Sequence, residues 1–197
     1  MSTPPINEYE GGDFDVRLGA RILREREARG WSLTELAERS QVSRAQINKV
    51  ERGASSPTAA VLGKLSAAFG LTISTLLGGV EGEEAVRLTR FAEHPQWMDP
   101  ATGYVRRQIA PHAGSSLTFE ITHVELPAGE STSYPASAFA FLQQLVFVLD
   151  GQLAFTEGDT VHRLGAGDSL ELGSSADCTF ANASGVTCTY LVVVARK

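Results

Sequence analysis

The stretch WSLTELAERSQVSRAQINKVERG, residues 31–53, contains the same helix-start pattern twice. Ser32 is followed three residues later by Glu35, and Ser43 is followed three residues later by Gln46. In such a capping box the serine hydroxyl accepts from the backbone N–H three residues on, and the acidic or amide side chain reaches back to the serine N–H. Apolar residues that flank each box can form a hydrophobic staple. The stretch therefore predicts two consecutive short helices that begin next to these serines.

Only residues 41–43 separate these two helices, which is the short joint that a helix-turn-helix requires. Helix-start and helix-end signals on both sides of this stretch predict further helices. Ser56-Pro57 is a favoured helix start, and Thr72 can cap a last short helix. Apolar spacing and the glycines past the helix ends supply the other limits. The predicted helices span residues 16–29, 33–40, 44–51, 57–69 and 73–77.

Residues 15–78 resemble the Xre-type helix-turn-helix domain of phage and bacterial repressors. The resemblance implies DNA binding, with the third helix in the major groove and its first residues facing base edges. It assigns Arg44, Ala45 and Lys49 to base reading, and Arg44 could hold guanine through O6 and N7. The full set that it assigns to the DNA interface is Ser32, Ser43, Arg44, Ala45, Gln46, Lys49, Arg52 and Ser55.

Several residues of this region have a simpler role open to them. Gln46 can serve as a capping residue as well as a reader, and Lys49 can be a solvated surface lysine. Glu51 is expected to pair with Arg26 and not to contact DNA. Ser32 is expected to offer its helix N-terminus to a phosphate. The expected phosphate contacts as a group are Ser32, Arg52 and Ser55.

The charge of the chain is unevenly distributed. The 197 residues carry a formal net charge of −6 at pH 7, but residues 14–78 carry +4 and the remainder −10. A basic module on an acidic body is compatible with binding DNA. No apolar run reaches the ~18 residues that a membrane span needs, and the N-terminus is acidic and polar. We therefore expect a cytoplasmic protein with no membrane partner.

After the glycine-rich, acidic stretch at 78–85, the pattern changes from helical spacing to short strands separated by turn signals. Many short strands with no helix among them predict a β-barrel or sandwich. The predicted strands are 86–91, 103–110, 117–126, 143–149, 152–156, 160–164, 169–172, 177–181 and 187–195. The chain is thus expected to be an α+β two-domain protein. Its predicted parts are a flexible leader at 1–14, an all-α domain at 15–78, a linker at 79–85 and an all-β domain at 86–197.

Two segments of the second half, VFVLDGQL at 146–153 and LGAGDSLEL at 164–172, resemble motifs of the cupin family, whose fold is a small jelly-roll barrel. The resemblance covers residues 110–195 approximately. Together with the N-terminal module, the chain resembles the Xre-cupin transcriptional regulators of bacteria. The resemblance implies a five-helix helix-turn-helix domain followed by a cupin barrel.

The metal ligands of the cupin motifs are missing from this chain. Where the family has two histidines, SAFA stands at 137–140; Gln144 stands in place of a glutamate and Cys178 in place of a third histidine. A neutral amide is a poor ligand, and one thiol cannot assemble a site that needs three or four donors. We therefore expect no metal and no other cofactor, and we assign the chain's histidines to surface or strand-edge positions: His94, His112, His123 and His162.

The barrel is expected to keep a pocket where the family holds its metal. Period-two spacing places Ala138, Ala140, Val146 and Val148 on the same face as Gln144. An apolar cavity with one polar group suits a small molecule. The residues assigned to this ligand site are Phe119, Tyr134, Ala140, Gln144, Val146, Cys178 and Phe180.

An alternative is that the same residues pack a solid core and the barrel only dimerises. The opposite face of the strand at 143–149 is apolar too, so a second sheet or a partner subunit is expected to cover it. Cys178 and Cys188 flank the turn signal at 182–185. They are expected to lie roughly opposite each other across a ladder, either as two buried thiols or as a cross-strand disulfide.

The leading hypothesis is a homodimeric transcriptional regulator, not an enzyme. It would bind double-stranded DNA at a pseudo-palindromic operator, and its cupin domain would sense a small-molecule effector. Two alternatives from other classes remain open at this point. One is a metal-dependent cupin enzyme fused to a DNA-binding domain, and the other is a cupin that acts only as a dimeriser.

Overall fold

The structure is a computed structural model that describes residues 11–77, 88–111, 115, 117–139, 142–173 and 176–196. The predicted linker, most of the predicted leader, His112 and Ala140 lie outside these ranges. No helix within them is both long and apolar enough to cross a membrane. The described chain consists of a helical half followed by a half built from two β-sheets.

Residues 11–77 form five helices: α1 (Gly11–Ala28), α2 (Leu33–Ser40), α3 (Arg44–Glu51), α4 (Ala59–Phe69) and α5 (Ile73–Leu77). The bounds of α2, α3 and α5 coincide with those predicted. α1 begins earlier than its predicted start at residue 16, and Phe14 packs against the core from this additional turn. The helix start was predicted from apolar spacing that began at residue 16, so the contact of Phe14 was missed.

The joint between α2 and α3 is held by the predicted caps. The backbone N–H of Glu35 donates to Ser32 Oγ at 3.2 Å, and the N–H of Ser32 donates to the Glu35 carboxylate at 2.7 Å, so the first box is complete. At α3, the N–H of Gln46 donates to Ser43 Oγ at 3.2 Å, but the half-buried Gln46 side chain does not return the bond. Gln41 closes α2 with φ of 55°, a left-handed conformation that is uncommon for a residue other than glycine.

α4 begins two residues later than predicted, because its cap is Thr58 and not Ser56. The N–H of Val61 donates to Thr58 Oγ1 at 3.4 Å. The buried carboxylate of Asp99, which comes from the second half of the chain, accepts from the N–H of Ala59 at 3.0 Å. A carboxylate is also favourable at a helix N-terminus on electrostatic grounds. The start of α4 is therefore held by the local cap Thr58 and also by Asp99, 40 positions away, which no local pattern could indicate.

The described part of the second half contains two short 3₁₀ turns, Phe91–Glu93 and Ala136–Ala138, and ten strands. The strands are β1 (Gln96–Met98), β2 (Val105–Ala110), β3 (Phe119–Leu126), β4 (Ser131–Tyr134), β5 (Leu142–Asp150), β6 (Gln152–Glu157), β7 (Thr160–Gly165), β8 (Ser169–Glu171), β9 (Cys178–Ala181) and β10 (Cys188–Arg196). One sheet has the order β1-β2-β3-β10-β5-β8, and the other has the order β4-β9-β6-β7. The described strand pairs are antiparallel, as in a jelly-roll sandwich.

The core of the sandwich lies between the two sheets, and the alternation along β5 shows its direction. Gln144, Val146 and Val148 are buried, while Leu145 and Leu149 are exposed on the other face. This is the parity that period-two spacing predicted. Across the core, the ring of Phe180 in the smaller sheet stacks on that of Tyr190 in the larger sheet with centroids 5.8 Å apart.

Two strand predictions were wrong. The described part of the predicted strand at 86–91 forms no strand, and β1 lies at Gln96–Met98 instead. β4 was missed, because its sequence STSY is short and polar. Its residues alternate between exposed and buried, so Thr132 and Tyr134 still reach the core. The turn signal that precedes β4 was recognised, but the strand itself lacked the apolar run used to find strands.

The expectation that the two cysteines face each other was also wrong. Cys178 lies in β9, opposite Tyr134 and Glu157 of the smaller sheet, whereas Cys188 lies in β10, opposite Leu126 of the larger sheet. Consecutive strands of a sandwich can belong to different sheets, and the hairpin assumed from the turn signal does not form. Both cysteines are buried free thiols.

Candidate functional sites: the exposed face of α3 and an interdomain cavity

One face of α3 is turned to solvent and the other is fixed in the helical core. Arg44, Ala45 and Lys49 are exposed, whereas Ile47 and Val50 are buried. The first three share a face because positions one, two and six of a helix fall within about 140° of each other. The structure therefore presents a basic, accessible surface from the residues that the resemblance assigned to base edges.

The residues assigned to phosphates flank this surface with different degrees of exposure. Ser32 and Ser43 are exposed caps, Arg52 is exposed directly after α3, and Ser55 is half-buried. Hydrogen bonds from the Ser32 backbone and side chain lower the pKa of the Glu35 carboxyl, which occupies the Ser32 N–H. A phosphate contact at Ser32 would therefore have to displace the Glu35 carboxylate from these two donors.

Glu51, at the end of α3, is held inside the protein by Arg26. The guanidinium donates from Nε and Nη2 to the two carboxylate oxygens at 2.6 and 2.9 Å, and from Nη1 to the Trp31 carbonyl at 2.8 Å. The hydrogen bond with Glu51 raises the pKa of Arg26. Only 7% of the Glu51 side chain is accessible. The structural role expected for Glu51 is confirmed.

A second site lies where α5 and the turn before it meet the inner face of the sandwich. It is a cavity of about 40 Å³. The helical half contributes Thr72, Ile73 and Ser74 to its wall. The polar side chains of the β half around it are Tyr104, Arg106, Tyr134 and Gln144, and the apolar ones are Ala138, Phe139, Leu142, Phe180, Val192 and Val194.

Arg106 is the charged group of this cavity, and it is only 8% exposed. Nη1 donates to the Tyr104 hydroxyl at 2.9 Å, while Nη2 lies 3.5 Å from Ser74 Oγ and 3.4 Å from Thr122 Oγ1. Nε finds no acceptor among the described residues. Burial lowers the pKa of Arg106, but the nearby Tyr104 and Tyr134 hydroxyls raise it, and the net shift is upward. The guanidinium is therefore charged.

Other contacts tie the helical half to the sandwich around the cavity. The Glu120 carboxylate of β3 accepts from the hydroxyls of Thr72 and Thr75 at 2.7 and 3.0 Å. α4 passes so close to β4 that a Cβ on Gly63 would lie 2.6 Å from the Tyr134 ring. Such an approach requires glycine. The two halves are therefore in direct, polar and tightly packed contact.

The sequence placed three of its seven proposed ligand-site residues on this wall: Tyr134, Gln144 and Phe180. Val146 and Cys178 are buried in the core beside it. Phe119 was wrongly assigned, because β3 turns Thr122 and Val124 inward and Phe119 outward. Each face of β3 mixes two apolar with two polar residues, so its pattern did not reveal which face is buried. Ala140 lies outside the described residues.

Arg106 and Ser74 were not identified from the sequence. A signal was present: period-two spacing in the predicted strand at 103–110 puts Arg106 on the same face as Tyr104, which is 1% exposed. Ser74 could not be found in this way, because its partner Thr122 is 48 residues away. The cavity depends on both halves of the chain.

The residues of the cavity do not fit the metal that cupins commonly hold. Within the described ranges, no group of three or more His, Cys, Asp or Glu side chains could bind an ion. Burial, followed by Glu157 and Asp177, raises the pKa of the Cys178 thiol to about 11, which disfavours the thiolate that metals bind. Gln144 is a neutral amide. Asn182, four residues after Cys178, donates to the Leu126 and Val186 carbonyls at 2.9 and 2.8 Å and so fixes a turn.

Comparison with known protein families agrees with this division of the chain. Residues 22–76 match the model of a helix-turn-helix family, and residues 122–194 match that of the cupin domain. A crystal structure of a transcriptional regulator with the same type of helix-turn-helix from Vibrio cholerae superposes with a TM-score of 0.74 at 21% identity. The match covers 95% of this chain and 99% of that one. It shows a shared fold over both halves.

Two curated proteins are similar in sequence. The HTH-type transcriptional regulator SutR of Escherichia coli (strain K12) is 27% identical over 169 residues, which is 84% of this chain and 86% of SutR. The HTH-type transcriptional regulator DdrOP3 of Deinococcus deserti is 33% identical over 66 residues, or 34% of this chain and 51% of DdrOP3. The similarity to SutR extends over both domains.

Proposed function

We propose that this chain, an Xre-type helix-turn-helix protein with a C-terminal cupin domain, is a transcriptional regulator that binds double-stranded DNA in the cytoplasm. The observation that carries the proposal is the exposed basic face of α3, with Arg44, Ala45 and Lys49 directed to solvent. α3 is the second helix of the helix-turn-helix, the one that enters the major groove in proteins of this type. The similarity to proteins named as transcriptional regulators supports it.

Selection of binding sites from random duplex DNA with the full-length protein tests this proposal. We expect the enriched sequences to contain a pseudo-palindrome, with half-sites about one helical turn apart or a multiple of that. The variant Arg44→Ala should lose the enrichment, whereas Arg163→Ala should keep it, because Arg163 is exposed on β7 of the barrel. Equal enrichment by wild type and Arg44→Ala would contradict the assignment of α3 as the reading helix.

The proposed operator symmetry requires a homodimer, and the outer face of the larger sheet is suited to forming one. Leu145 and Leu149 of β5 are 37% and 42% exposed, and Phe119 of β3 is 36% exposed on the same face. An apolar patch of this kind commonly marks an interface. Leu149→Lys should therefore yield monomers in sedimentation analysis. The control Val161→Lys, on the smaller sheet, should leave the mass of the assembly unchanged.

The cupin domain is proposed to sense a small-molecule effector and not to catalyse a reaction. Its cavity lies against α5, so a molecule bound there would touch both domains at once. The donor set around the cavity lacks the ligands of a metal-dependent cupin enzyme. A cupin that only dimerises would not need a buried, charged group next to a cavity. We therefore retain effector sensing as the function of this domain.

A further inference from the structure

We propose that the effector is a small organic anion, in the first place a carboxylate, and that its charged group binds the guanidinium of Arg106. The inference rests on the proposed effector-sensing function and names the class of molecule that the cavity would take. It depends on three features of the cavity: an unpaired buried cation, a mostly apolar wall and contacts to α5 that an anion would replace.

The first feature is a buried charge without a counter-ion. Of the ion pairs formed within the described ranges, none involves Arg106. Glu120, two residues from Thr122 on β3, directs its carboxylate to the hydroxyls of Thr72 and Thr75 instead. A buried charge is normally paired, because removal from water is strongly unfavourable for an isolated ion.

The hydroxyl groups near Arg106 do not neutralise it. Burial is the largest cause that raises the pKa of both Tyr134 and Tyr190, so these phenols stay protonated. A water in a nearby void of about 10 Å³, lined by Arg106 and Trp97, could accept from a free N–H. A water carries no charge, however. The guanidinium therefore keeps both an unused donor, Nε, and an uncompensated positive charge.

The geometry of the free donors favours a flat anion. A guanidinium presents N–H groups in a planar fork that matches the two oxygens of a carboxylate. The two bonds from Nη2, at 3.4 and 3.5 Å, are longer than ordinary hydrogen bonds and are made to neutral hydroxyls. A carboxylate accepting from Nε and Nη2 would make shorter, charge-assisted bonds in their place.

The rest of the cavity indicates what the anion carries. Leu142, Phe180, Val192 and Val194 provide an apolar wall for an aliphatic or aromatic body. Gln144 is 7% exposed, and its side-chain amide makes no hydrogen bond within the described part of the chain. It can therefore donate to or accept from one further polar group of the ligand. These features favour a small apolar acid over a sugar, a nucleotide or a cation.

The volume of the cavity indicates how binding is transmitted. A space of about 40 Å³ holds only a few waters, so an organic acid larger than these must displace part of the wall. The weakest part is the contact between Arg106 and Ser74 of α5, at 3.5 Å. An anion on Arg106 would compete with this contact and so remove one link between α5 and the barrel, while the Ser74–Thr122 and Glu120 hydrogen bonds remain. The bound and free states would then differ at the helical domain, as coupling to DNA requires.

A thermal-unfolding titration of the full-length protein tests the anion site without DNA. The probes are straight and branched carboxylates of two to six carbons, each compared with its neutral amide, and sodium chloride controls for ionic strength. At about ten times its Kd, the best carboxylate should raise Tm by about 3–6 °C, and its amide should not. If no carboxylate does so, or if amides act equally well, the inference is overturned.

The variant Arg106→Met separates an anion site from a structural link between domains. Removing an unpaired buried charge should leave the Tm of the ligand-free protein unchanged or raise it, and should abolish the response to carboxylate. Gln144→Leu should weaken carboxylates that carry a second polar group and spare those that do not. An Arg106→Met protein that unfolds at a much lower temperature, or that still responds, would contradict the inference.

These outcomes are distinct from a failure of the proposed function. If carboxylates bind through Arg106 but never change DNA binding, the anion site stands and the sensing function fails. If neutral or cationic molecules bind the cavity and change DNA binding, the sensing function stands and the anion inference fails.

Discussion

Arg26 of the helical domain and Arg106 in the cavity of the sandwich lie in opposite electrostatic environments. Arg26 donates two hydrogen bonds to the Glu51 carboxylate and a third to a backbone carbonyl. Arg106, which is buried whereas Arg26 is only partly buried, bonds only to neutral hydroxyls and leaves Nε without an acceptor among the described residues. Both residues join distant parts of the chain. What distinguishes them is that Arg26 has a carboxylate partner and Arg106 has only neutral hydroxyl partners.

This difference separates an arginine that completes a fold from one that remains available to a ligand. A buried ion pair with all of its hydrogen bonds is already at a local optimum, and removing one partner leaves an uncompensated charge. Arg106 is in that uncompensated situation in the intact protein. The exposed Arg44 of α3 and Arg52 directly after it form a third case, because water solvates them until DNA phosphates or bases replace it.

We expect the largest effect when Arg26, like Arg106, is left without a carboxylate partner. Glu51→Ala removes its carboxylate partner, and we expect the free energy of unfolding to fall by about 2–4 kcal/mol. Urea denaturation measures this change. The matched control Glu38→Ala removes an exposed glutamate of α2 and should change stability by less than about 0.5 kcal/mol. Equal effects of the two substitutions would remove the distinction between paired and solvated charges in this domain.

Arg44→Ala tests whether an exposed arginine of α3 reads a base. We expect specific operator binding to weaken by about 1–3 kcal/mol, with relaxed preference at one position of each half-site. The free energy of unfolding should be nearly unchanged, because Arg44 is exposed. Titration of the selected operator and of single-base variants measures both quantities. Loss of affinity that is uniform across all sequences would show a phosphate contact instead.

Arg52→Ala tests a residue that is expected to contact a phosphate and not a base. Arg52 follows the end of α3, where a phosphate contact is expected, so its loss should weaken binding evenly across sequences. The slope of the logarithm of affinity against the logarithm of salt concentration should decrease by about one. Operator titrations at several salt concentrations measure the slope. An unchanged slope together with altered base preference would exchange the roles assigned to Arg44 and Arg52.

A further effect, which appears only at alkaline pH, concerns the two thiols of the barrel. Burial, the largest cause, raises the pKa of Cys178 and of Cys188 to about 11, above the value of about 8.5 for an unfolded cysteine. The unfolded state therefore loses these protons first as pH rises. The stability present below about pH 8.5 should be progressively lost up to about pH 11.

The double variant Cys178→Ala/Cys188→Ala isolates this contribution. Its urea midpoint should fall less steeply than that of the wild type between pH 8 and pH 10.5. Titration of lysines and tyrosines affects both proteins equally and cancels in the comparison. Parallel curves for the two proteins would show that the thiols ionise as easily in the folded state as in the unfolded one.

The sequence predicted the parts of the molecule that local contacts determine. Ser32 and Ser43 fixed the starts of α2 and α3, because a capping box lies within four residues. The inward parity of β5 followed from alternation around Gln144. The two-domain organisation and the cupin sandwich followed from the change of period and from the motifs at 146–153 and 164–172.

The remaining features depend on contacts between distant residues. Asp99 caps α4 across 40 positions, and Ser74 meets Thr122 across 48. Phe119 was placed on the wrong face because both faces of β3 carry the same mixture of apolar and polar residues. The residues next to Arg106 in the sequence do not indicate that this arginine lacks a carboxylate partner. The fold could therefore be predicted well, but the chemistry of the cavity required the packed structure.

The measurement that most directly tests the account is operator affinity as a function of carboxylate concentration, for the wild type and Arg106→Met. The account predicts that saturating carboxylate changes the affinity of the wild-type protein by roughly 5- to 150-fold, a typical range for allosteric coupling. The affinity of Arg106→Met should not respond. Constant operator affinity in a wild-type protein whose cavity is shown by thermal shift to be occupied would contradict the account.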